Sequence, residues 1–205
     1  PDLVALRIAR HLSWAIVLAG IVLYVARHRP IRLQRGLSAA IFVWTLIPGP
    51  LSPAFWLALA FQMPSLMSTI LVLISLRSKL GTGSRARLDP ASRRSFLWLS
   101  LGAALLGWLL LLDTFAVLPI SLYSIGFSPA ALIVTALLAG LPWMLFRPGH
   151  PARGVTFLLW AVLLLHVLLR LPSGNLWDAL LDPWLWVVLQ LGWLAYGVRR
   201  LNAAR

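Results

Sequence analysis

The chain has 205 residues, of which 60% are hydrophobic and 11% charged, and its formal net charge is +13. This composition is not that of a soluble globular domain, and the basic residues lie at the ends of apolar segments instead of on one face, which argues against nucleic acid as a partner. The lack of cysteine excludes disulfides and thiolate metal sites, and the lack of glutamate removes a common intramembrane proton carrier.

Apolar segments separated by short turns occupy the whole chain. Because a membrane-crossing helix needs about 20 predominantly apolar residues, we predict an all-α, polytopic membrane helix bundle that forms one transmembrane domain over residues 1–205. We expect no cleaved signal peptide, since no small-residue cleavage pattern follows Leu23. The seven predicted helices are 4–26, 37–49, 53–76, 95–112, 129–146, 154–170 and 183–199.

The second predicted helix, 37–49, is the shortest. At about 1.5 Å of rise per residue its apolar part covers about half a bilayer, so a re-entrant segment is the alternative to a crossing. Without a crossing, the basic stretch 77–94 would lie outside, against the preference of basic loops for the cytoplasm. We therefore predict a short or tilted crossing.

The distribution of charge predicts the orientation of the bundle. Four of the five aspartates lie in turns that alternate with the basic turns along the chain. Since basic loops stay in the cytoplasm, we predict an outside N-terminus and an inside C-terminus, in a bacterial-type plasma (inner) membrane. Fifteen of the 18 lysines and arginines fall in the stretches 27–36, 77–94, 147–153 and 199–205.

Three predicted helices begin with an oxygen-bearing side chain followed by proline, and a fourth such pair precedes the predicted helix 95–112. A side-chain oxygen at the N-cap accepts a free backbone N–H, and proline at the first helical position presets φ, so we interpret these pairs as structural. Ser128 is therefore predicted as an N-cap and not as the nucleophile of a pair with His166. The four pairs are Ser52-Pro53, Asp89-Pro90, Ser128-Pro129 and Asp182-Pro183.

Tryptophan is abundant, and its spacing predicts two roles. Trp14, Trp56, Trp177, Trp184 and Trp186 fall near the predicted outer interface, and Trp98 and Trp143 near the inner one, as in an aromatic belt. The deeper Trp108, Trp160 and Trp193 are expected to pack between helices or to face lipid. Small residues spaced by four, Ala103/Gly107 and Ala136/Gly140, are expected to allow close helix approach.

Polar residues at one end of the predicted bundle form the candidate site, which we call the outer cluster. Arg7, Arg10 and His11 share a face of the first helix at i, i+3, i+4 spacing, and His166 and Arg170 share a face of the sixth. Arginines on the outer side are disfavoured. They could reach headgroups, pair with aspartates, bind an anion such as a lipid phosphate or carboxylate, or dock a partner protein. The outer cluster consists of Arg7, Arg10, His11, Asp113, His166 and Arg170.

Two other patterns leave alternatives open. His11 and His166 lie at similar predicted depth, so a haem b with two imidazole ligands, or a quinone, would make the chain an electron-transfer subunit. Gln62 and Gln190 lie near the predicted midplane, and Pro64 frees carbonyls beside Gln62, a pattern that also occurs in the substrate paths of small-solute or lipid transporters. An interhelical amide hydrogen bond would explain the same glutamines.

The residues favour a function without catalysis. We predict a membrane-embedded subunit or assembly partner of a larger complex, with membrane lipids and other membrane-protein subunits as partners, no catalytic residue, and neither a metal nor a cofactor. The transporter and the haem- or quinone-binding subunit are the alternatives. Neither reaches the specificity of a family motif.

Overall fold

The computed structural model describes residues 3–80, 90–150 and 152–203. These residues form helices joined by short turns, with no strand among them, so the all-α prediction is confirmed for this part of the chain. A 3-10 turn, Ala26–His28, follows the first helix. The helices are α1 (Leu3–Val25), α2 (Ile31–Leu46), α3 (Pro53–Phe61), α4 (Leu66–Leu80), α5 (Pro90–Thr114), α6 (Leu122–Ile125), α7 (Pro129–Leu145), α8 (Ala152–Leu169), α9 (Leu176–Leu180) and α10 (Pro183–Ala203).

In the described part of the chain, three helical segments are long and apolar enough to cross a membrane. They are Leu3–His28, Phe96–Thr114 and Ala152–Leu169, and the apolar α7 is shorter. A helix of 18 residues rises about 27 Å, close to the hydrocarbon thickness of a bilayer. These segments support the interpretation of the chain as a membrane protein.

The chain divides into two compact units. The first unit contains the described residues of Pro1–Arg87 together with Leu164–Gly174, and the second contains those of Leu88–Leu163 together with Asn175–Arg205. The last turns of α8 thus belong to the first unit and its earlier turns to the second.

In the first unit, α1 packs against α2, α3 and α4. Its core is formed by Ile16, Ala19, Leu23 and Leu76, against which side chains of α2 and α4 also pack. The buried Ser38 hydroxyl donates to the Ala19 carbonyl over 3.2 Å and ties α2 to α1. Burial of these side chains and this interhelical hydrogen bond hold α1, α2 and α4 together as a bundle.

The predicted third helix, 53–76, is wrong as a single element. The chain breaks between α3 and α4, where Gln62 has φ +58° and Pro64 has no N–H to donate. Ser65 starts the next helix, since its hydroxyl accepts from the Ser68 N–H over 3.0 Å. The sequence predicted a kink at Pro64, whereas the structure has two separate helices.

The second unit is joined by tryptophan side chains. Trp186 on α10 donates from its indole to the Ala104 carbonyl over 3.1 Å and packs edge-on against Trp108. Trp160 on α8 donates to the Ala136 carbonyl over 3.1 Å. A core of Ala131, Leu163 and Leu176 joins α7, α8 and α9. Tryptophan suits this role because it buries a large apolar surface and still satisfies its N–H.

The small residues singled out in the sequence lie beneath these indoles. A methyl group on Gly107 would overlap the Trp186 ring, and one on Gly140 would press on Trp160. Ala136, the partner of Gly140 in the spacing, supplies the carbonyl that Trp160 bonds. The small pairs therefore make room for tryptophan rings that cross between helices.

Three of the four predicted N-caps are confirmed. Ser52 accepts from the Ala54 N–H, Ser128 from the Ala131 N–H, and Asp182 from the Leu185 N–H over 2.7 Å. The fourth, Asp89, lies outside the described residues. Two short helices, α6 and α9, occupy segments that the sequence assigned to loops; Asn175 caps α9 by accepting from the Trp177 N–H.

Candidate functional site

The N-terminal half of α1 carries a basic face and a buried anchor. Arg7 is exposed, Arg10 and His11 are half-buried, and Trp14, one turn further, is only 5% exposed. The Trp14 indole donates to the Gln62 carbonyl over 2.8 Å. Trp14, predicted in an aromatic belt, is thus a core residue that holds α1 against the break between α3 and α4. This contact fixes the side of α1 that faces the bundle.

His11 is tied to its own helix. Its Nδ1 lies 3.0 Å from the Arg7 carbonyl oxygen, and because a carbonyl only accepts, Nδ1 carries the proton of this hydrogen bond. Nε2 is covered by other atoms and has no hydrogen-bond partner among the described residues.

His166 and Arg170 lie at the end of α8, in the same unit as α1. His166 is 7% exposed, and its Nδ1 bonds the Leu171 carbonyl over 3.1 Å. Arg170 has φ +55° and its N–H donates to the His166 carbonyl over 2.7 Å, which ends the helix in a left-handed turn. A left-handed conformation is unfavourable for a residue other than glycine. The hydrogen bond from the His166 imidazole to the Leu171 carbonyl helps to stabilise this turn. The Arg170 side chain itself is exposed.

The charge of the first unit is unbalanced. Its described residues, 3–80 and 164–174, contain no aspartate or glutamate. Among the residues that the structure describes, the guanidinium groups of Arg7, Arg10 and Arg170 form no hydrogen bond or ion pair. The described part of the unit therefore offers these three cations no counter-charge.

The three described aspartates near the predicted outer end bond groups of the second unit. Asp113 accepts from the Tyr123 backbone N–H over 2.7 Å, and Asp178 accepts from the Tyr123 hydroxyl over 2.8 Å. Asp182 is the N-cap of α10. These carboxylates order the segment around α6 and the start of α10. Asp113, which the sequence placed in the outer cluster, is thus bonded at the end of α5.

The two glutamines have local roles. Gln62 contacts Trp14 through its backbone carbonyl and not through its side-chain amide, which is exposed. Gln190 donates to the Trp186 carbonyl of its own helix over 3.4 Å. Neither glutamine side chain therefore makes, among the described residues, the interhelical amide hydrogen bond that the sequence suggested.

The described residues contain no group of three or more histidine, aspartate or glutamate side chains that could hold a metal ion. The Ser128 hydroxyl donates to the Ile125 carbonyl over 2.7 Å and accepts from the Ala131 N–H. This hydroxyl is therefore engaged as a cap, as its position before Pro129 predicted.

A second basic group was not singled out in the sequence. The Arg27 guanidinium lies 4.7 Å and the Lys79 ammonium 5.7 Å from the centre of the Tyr24 ring. The i, i+3 spacing of Tyr24 and Arg27 could have indicated the first contact. Lys79 is on α4, and only the packing of α4 on α1 brings it there.

Comparison with protein-family models, with curated proteins and with solved structures found no match to this chain.

Proposed function

We propose that the protein is a non-catalytic integral membrane subunit or assembly partner of a larger membrane complex. Arg7, Arg10 and Arg170 would bind an acidic group of a partner subunit or of an anionic lipid. The observation that carries this proposal is a unit without acidic residues in its described part, in which these three guanidinium groups have no bonding partner. A desolvated cation needs a counter-charge or water, and an external acidic group would supply it.

The proposal includes a topology. The chain would cross a bacterial-type inner membrane seven times with its N-terminus outside and its C-terminus inside, and α3 and α4 together would make one crossing. The charge distribution supports this arrangement, because the basic turns would all remain in the cytoplasm. Arg10 and Arg27 stand 17 positions apart on one helical segment, about 25 Å, with no charged residue between them. This distance is a few ångströms shorter than the ~30 Å hydrocarbon core, a difference that the long arginine side chains can bridge by extending to the interface.

Substitution of Arg170 tests the proposed binding. The full chain is purified in mild detergent from native membranes, and co-purified proteins and lipids are identified by mass spectrometry. Arg170→Ala is expected to weaken retention of the partner or the lipid by about 1–3 kcal/mol, because a charge-assisted hydrogen bond is lost. Arg170→Lys keeps the charge, and both variants keep a non-glycine residue at φ +55°. A difference between the two variants therefore reports the charge, and a difference between Arg170→Lys and the parent reports the guanidinium geometry. Unchanged co-purification with Arg170→Ala would count against the proposal.

One observation favours a second candidate, an electron-transfer subunit with haem b. In both His11 and His166, Nδ1 bonds a backbone carbonyl, so Nε2 is the nitrogen left for a metal. Nε2 of His11 is covered by other atoms, and a haem would have to displace them, which places this candidate second. A Soret band that is present in protein purified from haem-replete cells and lost in both His11→Ala and His166→Ala would support haem ligation. Its absence in the parent protein would remove this candidate.

A further inference from the structure

The end of α1 opposite Arg7 gathers cations from three elements. The Tyr24 ring lies under Arg27 of the 3-10 turn and under Lys79 of α4. The two distances to the ring centre keep these charges within about one Debye length, ~10 Å at 0.1 M salt, of each other. Arg35 of α2 donates to the Leu80 carbonyl over 2.9 Å, which adds a third cation next to Lys79. We call Tyr24, Arg27, Arg35 and Lys79 the Tyr24 cluster.

Several contacts hold the Tyr24 cluster in place. Arg27 Nε donates to Nε2 of His28 over 3.0 Å, which orients its guanidinium. Arg35 bonds the last carbonyl of α4, a favourable position for a cation at a helix C-terminus. The core of α1, α2 and α4 lies directly beneath, since Leu23 and Leu76 belong to it. The side chains of the Tyr24 cluster are therefore held at one end of the packed helices α1, α2 and α4.

These like charges have no acidic neighbour in the described part of their unit. Cation–π contact with Tyr24 stabilises each charge individually but does not reduce the repulsion between them. A bound anion would interact favourably with both Arg27 and Lys79, and Arg35 adds positive charge at the end of α4. Lysine and arginine both bind phosphate oxygens through their N–H groups.

Exposed apolar side chains on α1 and α4 favour a ligand that combines an anionic group with an apolar part. Ile21 is 51% and Val25 72% exposed on the same helix, and Ile74 on α4 is 54% exposed. Tyrosine at the end of an apolar helix is typical of the membrane–water interface. We propose that the Tyr24 cluster is a binding site for the phosphate headgroup of an anionic phospholipid, with an acyl chain along the exposed apolar side chains of α1 and α4. This site is separate from the proposed function and does not depend on it.

A soluble anion or an acidic protein would use only part of this surface. Inorganic phosphate would leave Ile21, Val25 and Ile74 without an apolar contact. An acidic protein would have to bury these side chains in the membrane interface region. A phospholipid meets both the cations and the apolar side chains, so the structure favours it.

Native mass spectrometry of the full chain in neutral detergent tests the site. The protein is titrated with phosphatidylglycerol or with phosphatidylcholine of the same acyl chains, and the bound fraction is compared. The parent is expected to retain phosphatidylglycerol preferentially. The double variant Arg27→Gln/Lys79→Gln is expected to lower its apparent affinity about twenty-five-fold, at roughly five-fold per cation. Tyr24→Leu should lower it and Tyr24→Phe should not, because phenylalanine keeps the ring.

The matched control is Arg29→Gln/Arg32→Gln. It removes the same two positive charges, both from the basic stretch 27–36 that also contains Arg27, but neither Arg29 nor Arg32 makes a cation–π contact with Tyr24. A clearly smaller loss of affinity in this control than in Arg27→Gln/Lys79→Gln would support a specific binding site at the Tyr24 cluster. An equal loss would mean that net charge alone attracts the lipid and would overturn the proposal. Equal retention of the two lipids by the parent, or full competition by inorganic phosphate, would also overturn it. Circular dichroism and size-exclusion profiles confirm that each compared variant is folded.

Discussion

The Trp14 indole N–H and the Gln62 backbone carbonyl meet at 2.8 Å, where the chain breaks between α3 and α4. The break leaves carbonyls without the N–H that a continuing helix would supply. In an apolar environment such a carbonyl needs another donor, and α1 provides it with a buried tryptophan. The contact therefore satisfies a carbonyl at the break and fixes α1 against the interruption.

The first prediction concerns this hydrogen bond. Trp14→Phe keeps an aromatic ring but removes the donor, so the Gln62 carbonyl loses its partner. We expect the free energy of unfolding to fall by about 1–3 kcal/mol, measured by denaturant titration in detergent micelles. Trp56→Phe is the control. Trp56 donates to the Pro50 carbonyl over 2.8 Å but is 61% exposed, so its loss should cost less than about 1 kcal/mol. Equal losses would show that the break does not need Trp14.

The break shows what the sequence could and could not predict. Pro64 indicated an interruption because proline lacks an N–H and its ring crowds the preceding turn. The positive φ of Gln62 and the start of a new helix at Ser65 depend on tertiary contacts that no local pattern contains. The donor Trp14 lies 48 positions away. Its place in the core follows from the packing of α1 on α3 and α4, whereas its sequence position alone suggested the membrane interface.

The second prediction concerns the packing of the Trp186 ring against Gly107. Gly107→Ala places a methyl group where the Trp186 ring lies, and the ring must move from Trp108 and from the Ala104 carbonyl. We expect a loss of about 1–3 kcal/mol in the free energy of unfolding, as for overpacking.

Gly102→Ala on the same helix is the matched control. A methyl group there meets nothing within 4 Å. Alanine also favours helix over glycine, so stability should change by less than about 1 kcal/mol and in the stabilising direction. A Gly107→Ala protein as stable as Gly102→Ala would show that Trp186 does not depend on this glycine.

The third prediction concerns Asn175, which is fully buried. Its amide donates to the Tyr123 carbonyl over 2.9 Å, and its side-chain oxygen accepts from the Trp177 N–H over 2.9 Å. Asn175→Ala removes both bonds and should lower the free energy of unfolding by about 2–3 kcal/mol in the same titration. Tyr123→Phe removes the hydroxyl that bonds Asp178 at an exposed position and should cost less than about 1 kcal/mol. A larger effect for Tyr123→Phe would contradict this ranking.

The candidate site was also predictable only in part. The spacing of Arg7, Arg10 and His11 on one helix follows from the helical period and holds in the structure. That α1 and the end of α8 share a compact unit is a property of the fold. The bond of Asp113 to the Tyr123 N–H was not predictable either, because it requires α6, a four-residue helix in a segment without helical periodicity.

The fourth prediction tests the threading on which the outer cluster depends. The chain has no cysteine, so a single introduced cysteine is its sole site for a maleimide. Gly36→Cys lies in the basic stretch 27–36 and has open space around it; Val117→Cys replaces a side chain that is 64% exposed after α5. With an outside N-terminus, a membrane-impermeant maleimide added to intact cells should label Val117→Cys. It should label Gly36→Cys only after permeabilisation, because the arginines that flank this position resist translocation. The cysteine-free parent gives the background. Labelling of Gly36→Cys in intact cells would place this basic stretch outside and would refute the proposed orientation.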